Sequence, residues 1–179
     1  MKRKTLLLLP LFADREGILR WLGEELSRML PLVVQLGPVL AVPPKSYRPS
    51  RGQYQAEEIL QGVLGQVQAP RDYLLAVADV DLFVPGLNFV FGLADIRHRA
   101  AIISLVRLRQ EFYGLKPDRN LFRQRTLKEA VHELGHLFGL PHCPNPLCVM
   151  HFSNSLSDTD RKSAHFCAQC QKRIRQIFE

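Results

Sequence analysis

Apolar and polar positions along this chain follow two different periods, and the switches between them lay out an α/β fold. Thr5 to Ala13 holds four consecutive leucines, Leu6 to Leu9, a short apolar run of the kind a strand buried on both faces requires. Asp14 then stands where a helix cap belongs, and the stripe Ile18, Trp21, Leu22, Leu26, Met29 and Leu30 has helical spacing. Val33 to Leu40 predicts a second strand. Val42 to Gly52 is rich in proline and basic residues and predicts an exposed loop. Gln55 to Leu64 predicts a second helix. Three further strands are expected at Tyr73 to Ala78, at Leu87 to Phe91 (short) and at Ala101 to Val106. Leu121 to Leu137 returns to helical period, and a last helix is expected from about Asp158 to Ile177, with Cys167 and Cys170 on one face.

The predicted helix over 121–137 carries chemistry. Its end reads His132-Glu133-Leu134-Gly135-His136, followed by Phe138-Gly139-Leu140-Pro141-His142-Cys143. Residues four apart share a helix face, so His132 and His136 can present two imidazoles to one ion while Glu133 leans over the same cleft. Gly139 can take the left-handed conformation that ends a helix and Pro141 cannot continue one, so the chain turns and His142 can return as third ligand. A fourth position stays open. An open position is what separates a catalytic zinc, which must hold a water and polarise a carbonyl, from a structural one. Glu133 is the natural general base. A chance match to His-Glu-x-x-His on an amphipathic helix is the competing explanation, and the added Gly139 and His142 weigh against it.

Cys143, Cys148, Cys167 and Cys170 are all the cysteines in the chain. Four thiolates close a tetrahedral site, so a second zinc held there would be structural. Two disulfides are the alternative. No persuasive secretion signal precedes the domain, although Met1-Lys-Arg-Lys4 before an apolar run mimics one; reduced thiols and a cytoplasmic setting are the expectation. Neighbouring side chains of an extended segment point to opposite sides, so His142 and Cys143 should serve different ions. Two zinc ions per chain are expected.

Met150 follows His142 by eight residues, in Cys148-Val149-Met150-His151-Phe152. The extended His-Glu-x-x-His-x-x-Gly-x-x-His run with a later Met resembles the metzincin zinc peptidases, in which that Met lies in a turn beneath the ligands without binding metal. The His-Cys junction, Cys-x-Met and trailing Cys-x2-Cys narrow the resemblance to archaemetzincins, and Asp79 to Gly92 is also similar to that family. The resemblance implies a mixed, mostly parallel twisted sheet with an edge strand over the cleft, an active-site helix and a small zinc-stabilised C-terminal subdomain. One catalytic domain over 1–179 is expected, with an α/β part over 1–139 and a C-terminal part over 140–179. Leu87 to Phe91 is the candidate edge strand, with Leu87, Asn88 and Phe89 as candidate substrate contacts. Some metzincins have a Tyr ligand two residues after the Met; Phe152 stands there and has no ligand atom. His151 is expected to be partly exposed or bonded to backbone, and His165 and His98 to be solvated.

Composition narrows the function classes. With 179 residues and 46% hydrophobic content the chain can bury one real core. Net charge is +7, yet the basic residues are scattered and lack interleaved aromatics, so nucleic acid is not an expected partner. No run is long enough to span a membrane, and a monomer acting on a peptide or protein substrate is expected. Arg97, Arg99, Arg107 and Arg109 are candidates for holding an acidic peptide or a terminal carboxylate; Asp79, Asp81 and Asp95 are candidates for holding a terminal amine. The leading function is a zinc metallopeptidase. The alternative is a zinc-stabilised peptide- or protein-binding module with little or no turnover.

Overall fold

The computed structural model describes residues 3–69 and 71–179; the basic start at Met1 and Lys2 lies outside them. Strand β1 (Lys4–Pro10) is followed by helix α1 (Ile18–Met29) and strand β2 (Leu32–Leu36). After two short strands, β3 (Tyr47–Arg48) and β4 (Gln53–Gln55), come helix α2 (Ala56–Leu64), β5 (Tyr73–Ala78) and β6 (Leu82–Phe83). Strands β7 (Gly92–Asp95) and β8 (Ala100–Ser104) precede the long helix α3 (Arg119–Leu137), and α4 (Leu156–Arg161) and α5 (Ala168–Phe178) close the chain.

The main sheet has the order β2-β1-β5-β8-β7. Its first four strands run parallel, and β7 is an antiparallel edge on β8. Because side chains alternate across a strand, the leucine run serves two cores at once. Leu6 and Leu8 join α1 and α3 on one face, while Leu7 and Leu9 pack with α2 on the other. Burying each contributes about 1.5–3 kcal/mol, so β1 anchors both layers. Asp14 caps α1 as expected: its two carboxylate oxygens accept from Ile18 N at 3.0 Å and Leu19 N at 2.8 Å.

Four expectations need correction. The second strand stops at Leu36 rather than Leu40, because from Val33 on it is half-buried or exposed and little packing holds it to the sheet. The 42–52 loop is not wholly irregular: β3 pairs with β4, which pairs with β6, in a small second sheet. The edge strand is Gly92–Asp95, not Leu87 to Phe91. Of the latter segment, Val90 makes only an isolated bridge to Leu82, since the chain turns at Gly86 (φ 88°) and meets β8 later. The last helix is two helices. Between α4 and α5 the backbone is taken up elsewhere: Ser163 N donates to Leu147 O at 2.9 Å, and Val149 N donates to His165 O at 3.0 Å. No helix among the described residues is long and apolar enough to cross a membrane.

Candidate metal centres and the cleft between them

Helix α3 starts at Asp118, whose side chain accepts from Leu121 N at 2.9 Å, and runs across β7, β8 and α1. It ends as the sequence predicts, with Gly139 left-handed at φ 82°. His132, His136 and His142 converge, with their ligand atoms all within 4.8 Å of one another. Two imidazoles are oriented from behind. His132 Nδ1 lies 2.8 Å from Val149 O and His136 Nδ1 lies 2.8 Å from Leu140 O. Each Nδ1–H donating to a carbonyl leaves Nε2 unprotonated and facing the site, the way metal-ligating histidines are commonly oriented. The two Nε2 atoms are 3.2 Å apart. Two ligands 2.0–2.1 Å from a tetrahedral ion would be separated by about 3.3 Å, so the cradle fits zinc.

Electrostatics agree with that donor set. Burial pushes the His132 pKa down to about 4, and burial also lowers those of His136 and His142, so the imidazoles are held neutral. Burial raises the Glu133 carboxyl well above its ordinary range, with the charge of Glu129 adding to the effect. Two glycines make room for this arrangement. A Cβ at Gly92 would stand 2.6 Å from Glu133 Oε1, so edge strand β7 and the carboxylate meet only because residue 92 has no side chain. A Cβ at Gly135 would run into the sulfur of Met150, which is fully buried beneath the helix. His151, next to it, bonds the Cys143 carbonyl through Nδ1 at 2.9 Å, and Phe152 sets its ring centroid 5.0 Å from that of His142.

The four cysteines are free thiols whose sulfur atoms lie within 4.8 Å of one another. Cys143 Sγ and Cys167 Sγ are 3.7 Å apart. That is far longer than a disulfide of about 2.05 Å and close to the roughly 3.8 Å expected between thiolates 2.3 Å from a tetrahedral zinc. Cys167 is not on a helix face but at the N-cap of α5. There the Cys170 N–H, directed at its sulfur, holds the thiol down to about 7, while burial pushes the thiols of Cys148 and Cys170 up. Cys167 N also donates to Cys148 Sγ at 3.3 Å.

The metal helix carries charged groups that the hydrophobic pattern did not single out. Glu129 and Lys162 are buried and paired, Nζ to Oε1 at 3.1 Å, and Thr159 donates to the same oxygen at 3.0 Å. Arg125 makes two bonds of 2.7 Å to Asp160. These pairs bolt α3 to α4. Glu129 sits four residues before Glu133, and that spacing was the available signal for its place on the cleft face.

A cleft of 460 Å³ lies over the three histidines. Leu87, Asn88 and Phe89 line it as a loop beside β7, and Gly92, Ile96, Glu129 and Ser153 line it too, none of which the sequence reading chose. The surface candidates go elsewhere. Arg107 pairs with Asp81 at 2.6 Å and stacks over Phe89, Arg109 pairs with Asp79, and Asp95 bonds His98 at 2.7 Å. Their charges are spent on one another rather than on the cleft. Arg97 and Arg99 are not among its lining residues. His165 is exposed, as expected.

An open three-histidine cradle on a Gly-ended helix, under the antiparallel edge of a mixed sheet and above a buried Met, defines a metzincin-type zinc peptidase fold. Residues 40–176 match the profile of Peptidase family M54, and the chain belongs to that family. The archaemetzincin of Methanocaldococcus jannaschii is 39% identical over 165 residues, covering 92% of this chain and 89% of that protein. The archaemetzincin of Pyrococcus abyssi is 61% identical over 100 residues, so the chain spans about half (53%) of that relative's length. The crystal structure of the Methanopyrus kandleri archaemetzincin superposes with a TM-score of 0.87 at 37% identity, covering 98% of this chain and 96% of that one.

Proposed function

We propose that this protein is a zinc-dependent peptidase, with His132, His136 and His142 holding a catalytic zinc, Glu133 as general base, and Cys143, Cys148, Cys167 and Cys170 holding a structural zinc. The convergence of three neutral imidazoles on a cleft that also receives Glu133 carries the reading. A zinc held by these three imidazoles would supply Lewis acidity, acidifying a water and polarising the scissile carbonyl. Glu133 takes the proton from the attacking water and delivers it to the leaving amine nitrogen. Met150 supports the helix from below. The edge strand β7 has one row of backbone groups outside its pairing with β8, and an extended substrate adding there would lie across Glu133.

Glu133→Gln tests this. The variant should keep its metal content and fold while peptide hydrolysis falls by about 10²–10⁴-fold. Equal hydrolysis by variant and wild type would refute the assignment of the base. Peptide binding that depends on zinc but yields no cleavage would favour a binding module instead.

A further inference from the structure

On that reading of the cleft, we infer that its substrate is an internal, uncharged and apolar stretch of polypeptide rather than a chain terminus, so that the enzyme is an endopeptidase. The first observation is the rim. Leu87 is 47% exposed, Ile96 56% and Phe152 44%, and all three line the same cleft. Large apolar groups left in water around one concavity mark the place where an apolar partner docks, and each covered side chain returns transfer free energy on binding.

The second observation is charge. Apart from the histidines, the ionisable side chains lining the cleft are Glu129 and Glu133. Glu129 is already matched by Lys162 at 3.1 Å, with Thr159 on the same oxygen, and Glu133 has its part in the chemistry. An α-ammonium needs an unmatched carboxylate and an α-carboxylate needs a free guanidinium or ammonium. Three nearby pairs are turned to other work, Asp81 to Arg107, Asp79 to Arg109 and Asp95 to His98, and Arg97 and Arg99 lie outside the lining. Arg51, a further cation at this end, donates to Leu87 O at 3.0 Å and Asn88 O at 3.1 Å. It holds the cleft wall.

The third observation is neutral polarity. Ser153 Oγ is buried in the cleft lining and has no hydrogen-bond partner among the described residues. Such a hydroxyl is satisfied by an ordered water or by a backbone group of an occupant, and either way it offers no charge. Asn88 lies in the same lining. Neutral hydrogen-bonding groups with an apolar rim fit the middle of a chain.

The test uses zinc-loaded Glu133→Gln protein and fluorescent decapeptides read by anisotropy. One has a Leu-Phe centre and both termini blocked; a second has the same centre and free termini; a third is blocked with an Asp-Lys centre. The first two should bind within about twofold of each other, and the third about tenfold or more weaker, the equivalent of about 1.4 kcal/mol. Leu87→Asp and Ile96→Asp, which touch no metal ligand, should weaken the apolar peptide by about tenfold. Tighter binding of the free-terminus peptide, indifference to central charge, or no binding of the blocked apolar peptide would overturn the inference. Wild-type protein given the same peptides separates the two readings. Cleavage only from a free N-terminus leaves a peptidase but defeats this inference, whereas selective binding without cleavage defeats the peptidase reading and preserves the preference.

Discussion

The two candidate metal centres stand side by side in the sequence, at His142 and Cys143, yet they are built on opposite plans. The histidine site hangs on one helix and one turn, with its imidazoles braced by the Val149 and Leu140 carbonyls and one side facing a cleft. The cysteine site gathers loop and helix terminus, Cys143 and Cys148 before α4 and Cys167 and Cys170 at the start of α5, with three of its four thiols buried. One leaves room for a reactant and the other leaves none. What they teach together is that ligand type sets chemistry while supporting structure sets access. The Met150–Cys143 segment belongs to both, since Cys143 N donates to Met150 O at 2.9 Å, so the closed site holds the turn that supports the open one.

The comparison breaks most sharply at the closed site. Cys170→Ser should lower stability by several kcal/mol, because structural zinc contributes its binding free energy directly to folding. Metal analysis should give about two equivalents in wild type, one removed quickly by chelator and one slowly, and the variant should lose the slow one. A single equivalent in wild type, or an unchanged Tm in the variant, would refute two sites of different kind.

Next comes the ion pair that joins the two regions. Lys162→Met leaves Glu129 as a buried uncompensated charge and should cost about 3–5 kcal/mol, whereas adding Glu129→Gln should recover much of it. Denaturant melts of the single and double variants check this; a double variant no better than the single would mean the pair does not act as a charge couple.

Gly92→Ala should cost about 1–3 kcal/mol by overpacking between Glu133 Oε1 and Ile102 O, and hydrolysis should fall with it because the displaced group is the proposed base. Wild-type activity and Tm in this variant would show that β7 yields freely.

Measured per pH unit, the smallest effect is acid sensitivity of the histidine site once any metal there is chelated. The folded-state pKa of His132 lies near 4 and its unfolded value near 6.5, so the unfolded chain binds more protons between those pH values and stability should fall as pH drops from 6.5 toward 4. The slope is about 1.4 kcal/mol per pH unit for each such proton. Glu133 opposes it, since a folded carboxyl with raised pKa takes up a proton before the unfolded one does, so melting should be followed in the Glu133→Gln background. A flat profile there would contradict the burial that holds the imidazole neutral.

Particular residues show how far the chain could be read without its fold. The convergence of His132, His136 and His142 was legible because i,i+4 spacing and a Gly-terminated helix are local geometry, and the leucine run of β1 was legible because a strand buried on both faces has a composition of its own. The edge strand was not. Leu87 to Phe91 is more apolar than Gly92–Asp95, but it is β8 that selects the pairing partner, and Gly92 can approach Glu133 only through its missing side chain. The single helix expected over 158–177 failed for a similar reason. Backbone bonds from Ser163 to Leu147 and from Val149 to His165 interrupt it and bring Cys167 to the N-cap of α5.

By itself the sequence determined the α/β layering, the grouping of three histidines and of four cysteines, the likeness to a peptidase family and the identity of the carboxylate beside the histidines, because each depends on spacing within one element or on residue chemistry. Only the tertiary structure decided which strand borders the cleft, that Glu129 and Lys162 neutralise one another across 33 residues of chain, and that Arg107 and Arg109 are paired with Asp81 and Asp79. Those outcomes depend on distances between elements far apart in the chain, and such distances are set by packing.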